Sequence, residues 1–218
     1  MLKPTLDPRL SLAADFFPYC GVGADIGADH GHLSCALLSS GKCRRMQVTD
    51  ISRVSLDKAG RLMTLHGLDD RVELRLGDGL NALSSPVEAA AICGMGGHTM
   101  FRILRSGKDC LHGARLVLSP QTDQPEVRRV LYEELGYHLE REAAVFAAGR
   151  FYLVMLAVPG AEPITEKALY LGPCLMKAED DVYRRYIAWR RDVVACEQGA
   201  TAARRRLWLN EEWERVKQ

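Results

Sequence analysis

Residues 22–31 read VGADIGADHG. The short apolar run at residues 22–26 has the length and composition of a buried strand. Gly27 then opens a turn, because glycine readily adopts the left-handed backbone conformations of tight turns. A helix is predicted at residues 32–40, and Gly41 ends it. The segment therefore predicts a strand, a tight turn and a helix, which together form one unit of an α/β sheet.

The same alternation continues along the chain. Further strands are predicted at residues 46–49, 72–76, 88–93 and 114–118, and helices at residues 55–66, 98–105 and 125–134. An earlier helix begins at Pro8, with Asp7 as its N-cap. Residues 137–145 and 151–158 predict two strands joined by a short turn near Gly149. We therefore expect a Rossmann-like α/β fold, with a parallel sheet and an antiparallel hairpin at its edge.

The chain is predicted to divide at residues 159–163, which read PGAEP. Residues 1–160 form the α/β domain, and residues 161–218 form a small C-terminal helical segment. In this segment apolar side chains recur at alternate spacings of four and three, which predicts a coiled-coil-like stripe packed inside the segment rather than a dimer seam. The stripe is Val182, Tyr186, Trp189, Val193, Cys196, Ala200, Ala203 and Leu207. Gly199 interrupts it and predicts a helical hairpin.

Composition excludes several classes of protein. No apolar run among the 218 residues is long enough to cross a bilayer, and the N-terminus lacks the features of a signal peptide. The seven cysteines form no CxxC pair, so we expect small buried thiols in a reducing cytoplasm and no metal site. With a net charge of +1, any nucleic-acid binding requires a local basic patch. The oligomeric state is not given by the sequence, and a monomer is favoured.

Acidic residues lie at the ends of the first three predicted strands: Asp25, Asp50 and Asp78. Ligands of open α/β sheets bind beyond the carboxyl ends of the strands. Carboxylates there suit a ligand with a cationic amino-acid end, such as S-adenosylmethionine, and would repel the pyrophosphate of a dinucleotide. Asp50 is placed to accept hydrogen bonds from ribose hydroxyls. For each aspartate taken alone, an ordinary turn residue is the alternative.

The predicted fourth strand leads into residues 93–98, which read CGMGGH. Its three glycines allow the backbone to approach a flat ligand or base closely, and a purely structural turn before a helix is the alternative. His30, His32 and His98 show no clear helical i, i+4 pair across them. They are therefore predicted to be ordinary polar histidines rather than metal ligands.

Taken together, these residues resemble the bacterial tRNA (adenine-N1)-methyltransferases of the TrmK type. The matching stretches are residues 24–30 (ADIGADH), 75–80 (RLGDGL), 93–97 (CGMGG), 116–121 (LVLSPQ), 128–137 and 170–175 (YLGPCL). The resemblance implies a class I enzyme that transfers a methyl group from S-adenosylmethionine to N1 of adenine 22 in the tRNA D-loop. It also implies a C-terminal helical segment that helps to hold the tRNA. Where the family usually has Gln-Pro-Asn, this chain has Ser119-Pro120-Gln121, and its tail is shorter.

The resemblance also implies a set of site residues. The cofactor pocket would be lined by Asp25, Gly27, Asp29, His30, Asp50, Ile51, Asp78, Gly79, Gly94 and Met95. Asp29 would face the transferring methyl group and the target base. It is the predicted catalytic residue, because a nearby carboxylate stabilises the charge that develops on the base or accepts a proton from its amine. A helix N-cap is the alternative role for Asp29.

Tail arginines that lie off the stripe are candidates for phosphate contacts. The predicted substrate-binding residues are Gly96, Gly97, Arg184, Arg191, Arg204 and Arg205. The alternative for the arginines is a solvated helix face, neutralised by Asp192 and Glu197.

Two other functions are compatible with the sequence. A class I methyltransferase acting on a small molecule or a protein would keep the acidic strand ends but would not need the arginines of the tail. A non-catalytic RNA-binding protein that retains the fold would have no reason to keep Asp25, Gly27, Asp50 and Asp78 together.

Overall fold

Seven strands form one sheet in the computed structural model, which describes residues 5–217. The strands are β1 (Cys20–Ile26), β2 (Cys43–Asp50), β3 (Val72–Leu76), β4 (Ala89–Cys93), β5 (Arg115–Ser119), β6 (Tyr137–Ala147) and β7 (Arg150–Pro159). Their order across the sheet is β3-β2-β1-β4-β5-β7-β6. The first five strands are parallel, whereas β7 runs antiparallel to both β5 and β6. The predicted parallel sheet with an antiparallel edge hairpin is confirmed.

Helices cover both faces of this sheet. They are α1 (Pro8–Phe16), α2 (His32–Ser39), α3 (Arg53–Leu65), α4 (Gly97–Ser106), α5 (Gln124–Arg129), α6 (Glu166–Leu171), α7 (Asp181–Ala195) and α8 (Ala200–Val216). Alternate side chains of β4 enter two separate hydrophobic clusters, as the pleat of a strand requires. Ala89 and Ala91 pack with α1, α2 and α3, whereas Ala90 and Ile92 pack on the face covered by α4 to α8.

Side-chain caps explain where several helices begin. The Asp7 carboxylate accepts a hydrogen bond from the Leu10 amide at 2.9 Å, and Pro8 occupies the first helical position, as predicted. Asp180 caps α7 in the same way through the Tyr183 amide. Other predicted bounds differ from the observed ones by a few residues. One predicted helix ends as a π-helical turn, because residues 130–134 follow α5 with that geometry.

The two tail helices form the predicted hairpin at Gly199, but the predicted stripe is wrong. Trp189, Val193 and Leu207 of the stripe are exposed. The side chains of α7 and α8 that are buried are instead Tyr183, Tyr186, Ile187, Val194, Ala202, Leu209, Glu212 and Val216. The buried face of α7 lies one residue from the predicted stripe and includes Tyr183, whose hydroxyl donates to the buried Glu212 carboxylate at 2.9 Å. A pattern drawn from apolar residues alone does not count such a pair.

An ion pair links α5, β6 and the segment after α6. The Arg128 guanidinium donates to Glu142 Oε1 at 2.7 Å, and both side chains are almost fully buried. Arg128 also donates to the Leu169 carbonyl, while Glu142 Oε2 accepts from the Cys174 amide. Buried residues of the tail belong to the same hydrophobic cluster as β4 and β5. The division of the chain into residues 1–160 and 161–218 stays a prediction.

Within residues 5–217, no helix is long and apolar enough to cross a membrane. The same residues bring together no group of three histidine, cysteine, aspartate or glutamate side chains suited to a metal ion. All seven cysteines are free thiols. Cys35 and Cys43 are buried as expected, whereas Cys196 is exposed, contrary to the expectation, because it follows the end of α7 on the outer side of the tail.

Candidate active site

The turn after β1 takes the predicted conformation. Gly27 has φ = 68°, in the left-handed region, and its amide donates to the Thr49 carbonyl at 2.8 Å. The Met95 side chain lies directly over Gly27, where a Cβ atom would collide with the Met95 methyl group. The turn therefore requires glycine for both its backbone angle and the close approach of Met95.

A cavity of about 370 Å³ lies beyond the carboxyl ends of β1 and β4. Of the predicted cofactor residues, Asp25, Gly27, Asp29, His30, Gly94 and Met95 line it. Asp50, Ile51, Asp78 and Gly79 do not line it and instead follow the ends of the neighbouring strands β2 and β3. The structure thus brings together the residues from β1 and β4, while the remaining four lie farther along the same edge of the sheet.

Asp25 is a buried carboxylate in the wall of this cavity. Its side chain accepts a hydrogen bond from the Ser34 hydroxyl at 2.6 Å. Burial raises the pKa of Asp25 to about 6, and the nearby Asp50 charge acts in the same direction, while the Ser34 hydrogen bonds oppose them. Burying a charge without a partner is costly. A cationic ligand group beside Asp25 would supply that partner.

Asp29 and Asp50 are joined through the backbone. Asp29 has φ = 50°, which is unusual for a residue other than glycine, and its amide donates to Asp50 Oδ2 at 3.1 Å. Asp50 Oδ1 accepts a hydrogen bond from the Ser52 amide at 2.8 Å. The Asp50 carboxylate therefore links the turn after β1 to the turn after β2. The Asp29 carboxylate itself is 75% exposed. The alternative N-cap role for Asp29 is wrong, because Gly31 precedes α2 and no side chain caps that helix.

At the end of β3, Gly79 has a packing role of its own. It has φ = 61°, and an added Cβ atom would lie 2.9 Å from the Ile103 side chain of α4. Asp78 is exposed and caps no helix with its side chain. Ile51, just after β2, is 76% exposed, which is high for a large aliphatic side chain. Asp78 and Ile51 are therefore available to a ligand that extends along this edge.

The glycine-rich turn after β4 packs against the loop that follows β5. The Gly97 amide donates to Thr122 Oγ1 at 3.1 Å, and a Cβ atom on Gly97 would collide with the Thr122 carbonyl oxygen. Neither Gly96 nor Gly97 lines the cavity. The close packing on Thr122 explains Gly97 as part of a structural turn before a helix, the alternative given from the sequence. The contact of Gly96 and Gly97 with the substrate stays a prediction.

The cavity wall includes Arg9 and Gln121, polar residues that were not predicted from the sequence as parts of the site. Arg9 belongs to α1, before the first strand, and reaches the cavity because α1 packs across the edge hairpin. Gln121 follows β5, and two hydrogen bonds hold it: its amide to the Met95 carbonyl at 2.8 Å, and its side-chain Nε2 to the Gly94 carbonyl at 2.9 Å. The stretch LVLSPQ contained the only sequence signal for Gln121, and nothing in the spacing marked Arg9.

Most of the predicted tail arginines already have partners within the tail. Arg184 donates to the Val216 carbonyl, Arg191 donates to the Asn210 side chain, and Arg205 forms an ion pair with Glu197. Arg204 is exposed and lies 5.8 Å from the centre of the Trp208 ring. It forms no ion pair with any of residues 5–217. Of the four arginines, Arg191 and Arg204 form no ion pair within residues 5–217, and Arg204 also makes no hydrogen bond there.

Residues 6–155 match a family model described as a methyltransferase domain. The tRNA (adenine(22)-N(1))-methyltransferase of Bacillus subtilis strain 168 is 32% identical over 186 residues, which cover 82% of this chain and 78% of that protein. The chain belongs to the tRNA (adenine(22)-N(1))-methyltransferase family. The predicted family resemblance is therefore confirmed.

Solved structures of this methyltransferase family share the whole fold. Streptococcus pneumoniae Sp1610, solved in complex with S-adenosyl-L-methionine, is 25% identical with a TM-score of 0.89 and covers 96% of this chain and 100% of its own. The Bacillus subtilis m1A22 tRNA methyltransferase TrmK is 26% identical with a TM-score of 0.81, and the match covers 98% of each chain. Because these matches span almost the whole chain, the similarity includes the C-terminal helices as well as the sheet.

Proposed function

We propose that this methyltransferase transfers the methyl group of S-adenosylmethionine to N1 of adenine 22 in tRNA. The observation that carries the proposal is the buried Asp25 carboxylate in a cavity at the carboxyl ends of β1 and β4, in a chain of this family. Free thiols throughout the chain fit a reaction in the cytoplasm, where tRNA is modified.

The cavity offers both charges that the amino-acid end of the cofactor requires. Asp25 faces the ammonium group, and Arg9 faces the carboxylate. Farther along the edge, Asp50 accepts hydrogen bonds from the ribose hydroxyls. Ile51 packs on the adenine ring, and Asp78 lies near its amine. These assignments follow the order of the strands from β4 to β3.

Alignment of the reactants is the main task of this site. When bound, S-adenosylmethionine supplies a methyl group on a positively charged sulfur, which leaves as a neutral thioether. Adenine N1 has a lone pair in the ring plane, so a new N–C bond forms as the S–C bond breaks, without prior loss of a proton. Asp29 lines the cavity with an exposed carboxylate and stabilises the positive charge that develops on the base.

Labelled methyl transfer tests the reaction. Purified protein, labelled S-adenosylmethionine and unmodified tRNA are expected to yield 1-methyladenosine on nucleoside analysis. The signal should disappear when the adenine at position 22 is replaced. No incorporation, despite measured binding of the cofactor, would contradict the proposal and favour a small-molecule or protein substrate.

The role of Asp29 has its own test. Asp29→Asn should lower kcat by about tenfold or more, because the stabilising charge is lost. The dissociation constant for S-adenosylmethionine should stay within about twofold, since Asp25 and Arg9 remain. Asp57→Asn, an exposed aspartate on α3, is the matched control. An Asp29→Asn enzyme with normal turnover would exclude this role.

A basic side chain of α7 packs on the edge hairpin. Arg185 of α7 is exposed, and its guanidinium lies 5.0 Å from the centre of the Phe146 ring on β6. The turn that follows β6 reaches beyond the carboxyl end of β5, on the same side as the cavity. Arg185 is therefore proposed as a phosphate contact. Arg204 is proposed as a second one because it is exposed and unpaired, whereas Arg184, Arg191 and Arg205 would first have to release their present partners.

A further inference from the structure

A second cavity, of about 310 Å³, opens beside the first. The two cavities share Arg9 and Gln121 in their walls. Asp7, Pro8, Ala147, Ala148 and Tyr152 complete the second one. We propose that it receives the target adenine as an extrahelical base, with the ring stacked on Tyr152 and N1 directed past Arg9 and Gln121 toward the first cavity. This inference rests on the proposed function.

The topology of the edge hairpin places Tyr152 at the right end of the sheet. In the antiparallel pairing of β5 and β7, Leu118 lies opposite Met155. Continuing that register by three residues brings Tyr152 opposite Gln121, beyond the end of β5. The turn before it contains Ala148 with φ = 48° and Gly149 with φ = 75°, so the chain reverses tightly there. The hairpin thus forms an aromatic wall next to the cofactor cavity.

The groups in this wall are those that bind nucleobases. Tyr152 is half-buried, and its hydroxyl makes no hydrogen bond to any of residues 5–217. The Arg9 guanidinium lies 5.5 Å from the centre of the Tyr152 ring, and Asp7 pairs with Arg9 at 3.6 Å. Aromatic rings and guanidinium planes are the usual stacking partners of unstacked RNA bases.

Gln121 is oriented to read one edge of that base. Because Nε2 is engaged by the Gly94 carbonyl, Oε1 is the atom left to accept a hydrogen bond. The exocyclic amine of adenine is a donor, and N1 lies next to it on the same edge of the ring. A hydrogen bond from that amine to Gln121 would leave N1 free for methyl transfer. Guanine carries an acceptor at the corresponding position and would not satisfy Oε1.

An extrahelical base also meets a chemical requirement of the reaction. N1 lies on the Watson–Crick edge and is inaccessible in a paired base. Taking the base out of the RNA stack costs free energy, and stacking on a protein aromatic ring offsets that loss. The second cavity provides such a ring within reach of the first cavity.

Substitution of Tyr152 tests the proposal. Tyr152→Ala should lower kcat/KM for tRNA by about 5- to 150-fold, the usual range for loss of one aromatic stacking partner. Tyr152→Phe, which keeps the ring, should stay within about twofold. Tyr19→Ala is the matched control, because Tyr19 is 78% exposed and precedes the amino end of β1, whereas the cavities lie beyond the carboxyl ends of the parallel strands. Binding of S-adenosylmethionine should be unchanged in all three variants.

A second measurement separates base stacking from a loss of structure. Wild-type protein should bind tRNA with adenine at position 22 more tightly than tRNA with an abasic site there, and Tyr152→Ala should bind the two RNAs equally. A Tyr152→Ala enzyme with wild-type kcat/KM, or one that still distinguishes the two RNAs, would overturn the inference. Absence of methyl transfer by the wild-type enzyme would instead contradict the proposed function.

Discussion

The carboxyl edge of the sheet and the C-terminal helices use their charged residues in different ways. At the edge, short aspartate side chains are held by turns, as Asp50 is by the amides of Asp29 and Ser52. In the tail, long arginine side chains contact neighbouring groups, as Arg205 does with Glu197. A residue that follows a parallel strand has its location fixed by the sheet, whereas the buried face of a helix depends on what packs against it.

The largest effect is expected at Asp25. Asp25→Asn should weaken S-adenosylmethionine binding by about 30-fold or more, because the ammonium group of the cofactor then loses the carboxylate that pairs with it. The free energy of unfolding of the cofactor-free protein should rise by up to about 3 kcal/mol at pH 8, since the buried charge is removed. Calorimetric titration and denaturant unfolding measure the two changes. Unchanged cofactor affinity would place the cationic end of the cofactor elsewhere.

A matched pair of leucines tests the packing of the tail. Leu209→Ala should lower the free energy of unfolding by about 2–5 kcal/mol, because Leu209 is fully buried. Leu207→Ala, at an exposed position on the same helix, should change it by less than about 0.5 kcal/mol. Denaturant unfolding measures both changes. Equal decreases in the free energy of unfolding for the two variants would support the stripe predicted from the sequence instead.

The pH dependence of cofactor binding follows from the raised pKa of Asp25. In the free protein this group ionises near pH 6, and a cationic ligand favours its ionised form, which lowers the pKa in the complex. The affinity for S-adenosylmethionine should therefore be maximal above about pH 7 and should fall by about tenfold per pH unit below pH 6. The stability of the free protein should change in the opposite direction, because the contribution of protonated Asp25 is lost as the pH rises through about 6.

Calorimetric titrations between pH 5 and pH 8 would measure this dependence, with Asp25→Asn as the control. The affinity of that variant for the cofactor should not fall below pH 6, because the variant has no carboxyl group at this position. A wild-type profile that stays flat would show that Asp25 does not face the cationic group.

The smallest effect is expected at Arg185. Arg185→Ala should reduce the slope of log affinity for tRNA against log salt concentration by about one, as for the loss of one phosphate contact. Arg44→Ala, an exposed arginine near the amino end of β2 and so away from the carboxyl ends that form the site, should leave the slope unchanged. Equal slopes for Arg185→Ala and wild type would remove α7 from the RNA interface.

Much of the fold followed from the sequence because local patterns and sheet geometry agree. Gly27 predicted the turn after β1. Asp25 and Asp29 were predicted to line a ligand pocket, and both line the observed cavity. Arg9 and Tyr152 reach the site from α1 and from the edge hairpin, so tertiary packing brings them there and no local pattern marks them. The buried face of the tail includes Tyr183 and Glu212, whose mutual hydrogen bond a pattern of apolar residues does not predict.

Replacement of one atom in the substrate tests the central claim most directly. Two tRNA transcripts would be compared in single-turnover methylation, one with adenine and one with 1-deazaadenine at position 22. Methyl transfer is expected to the first transcript and not to the second, because only the first has N1. Transfer to both, or 1-methyladenosine at another position of the first, would contradict it.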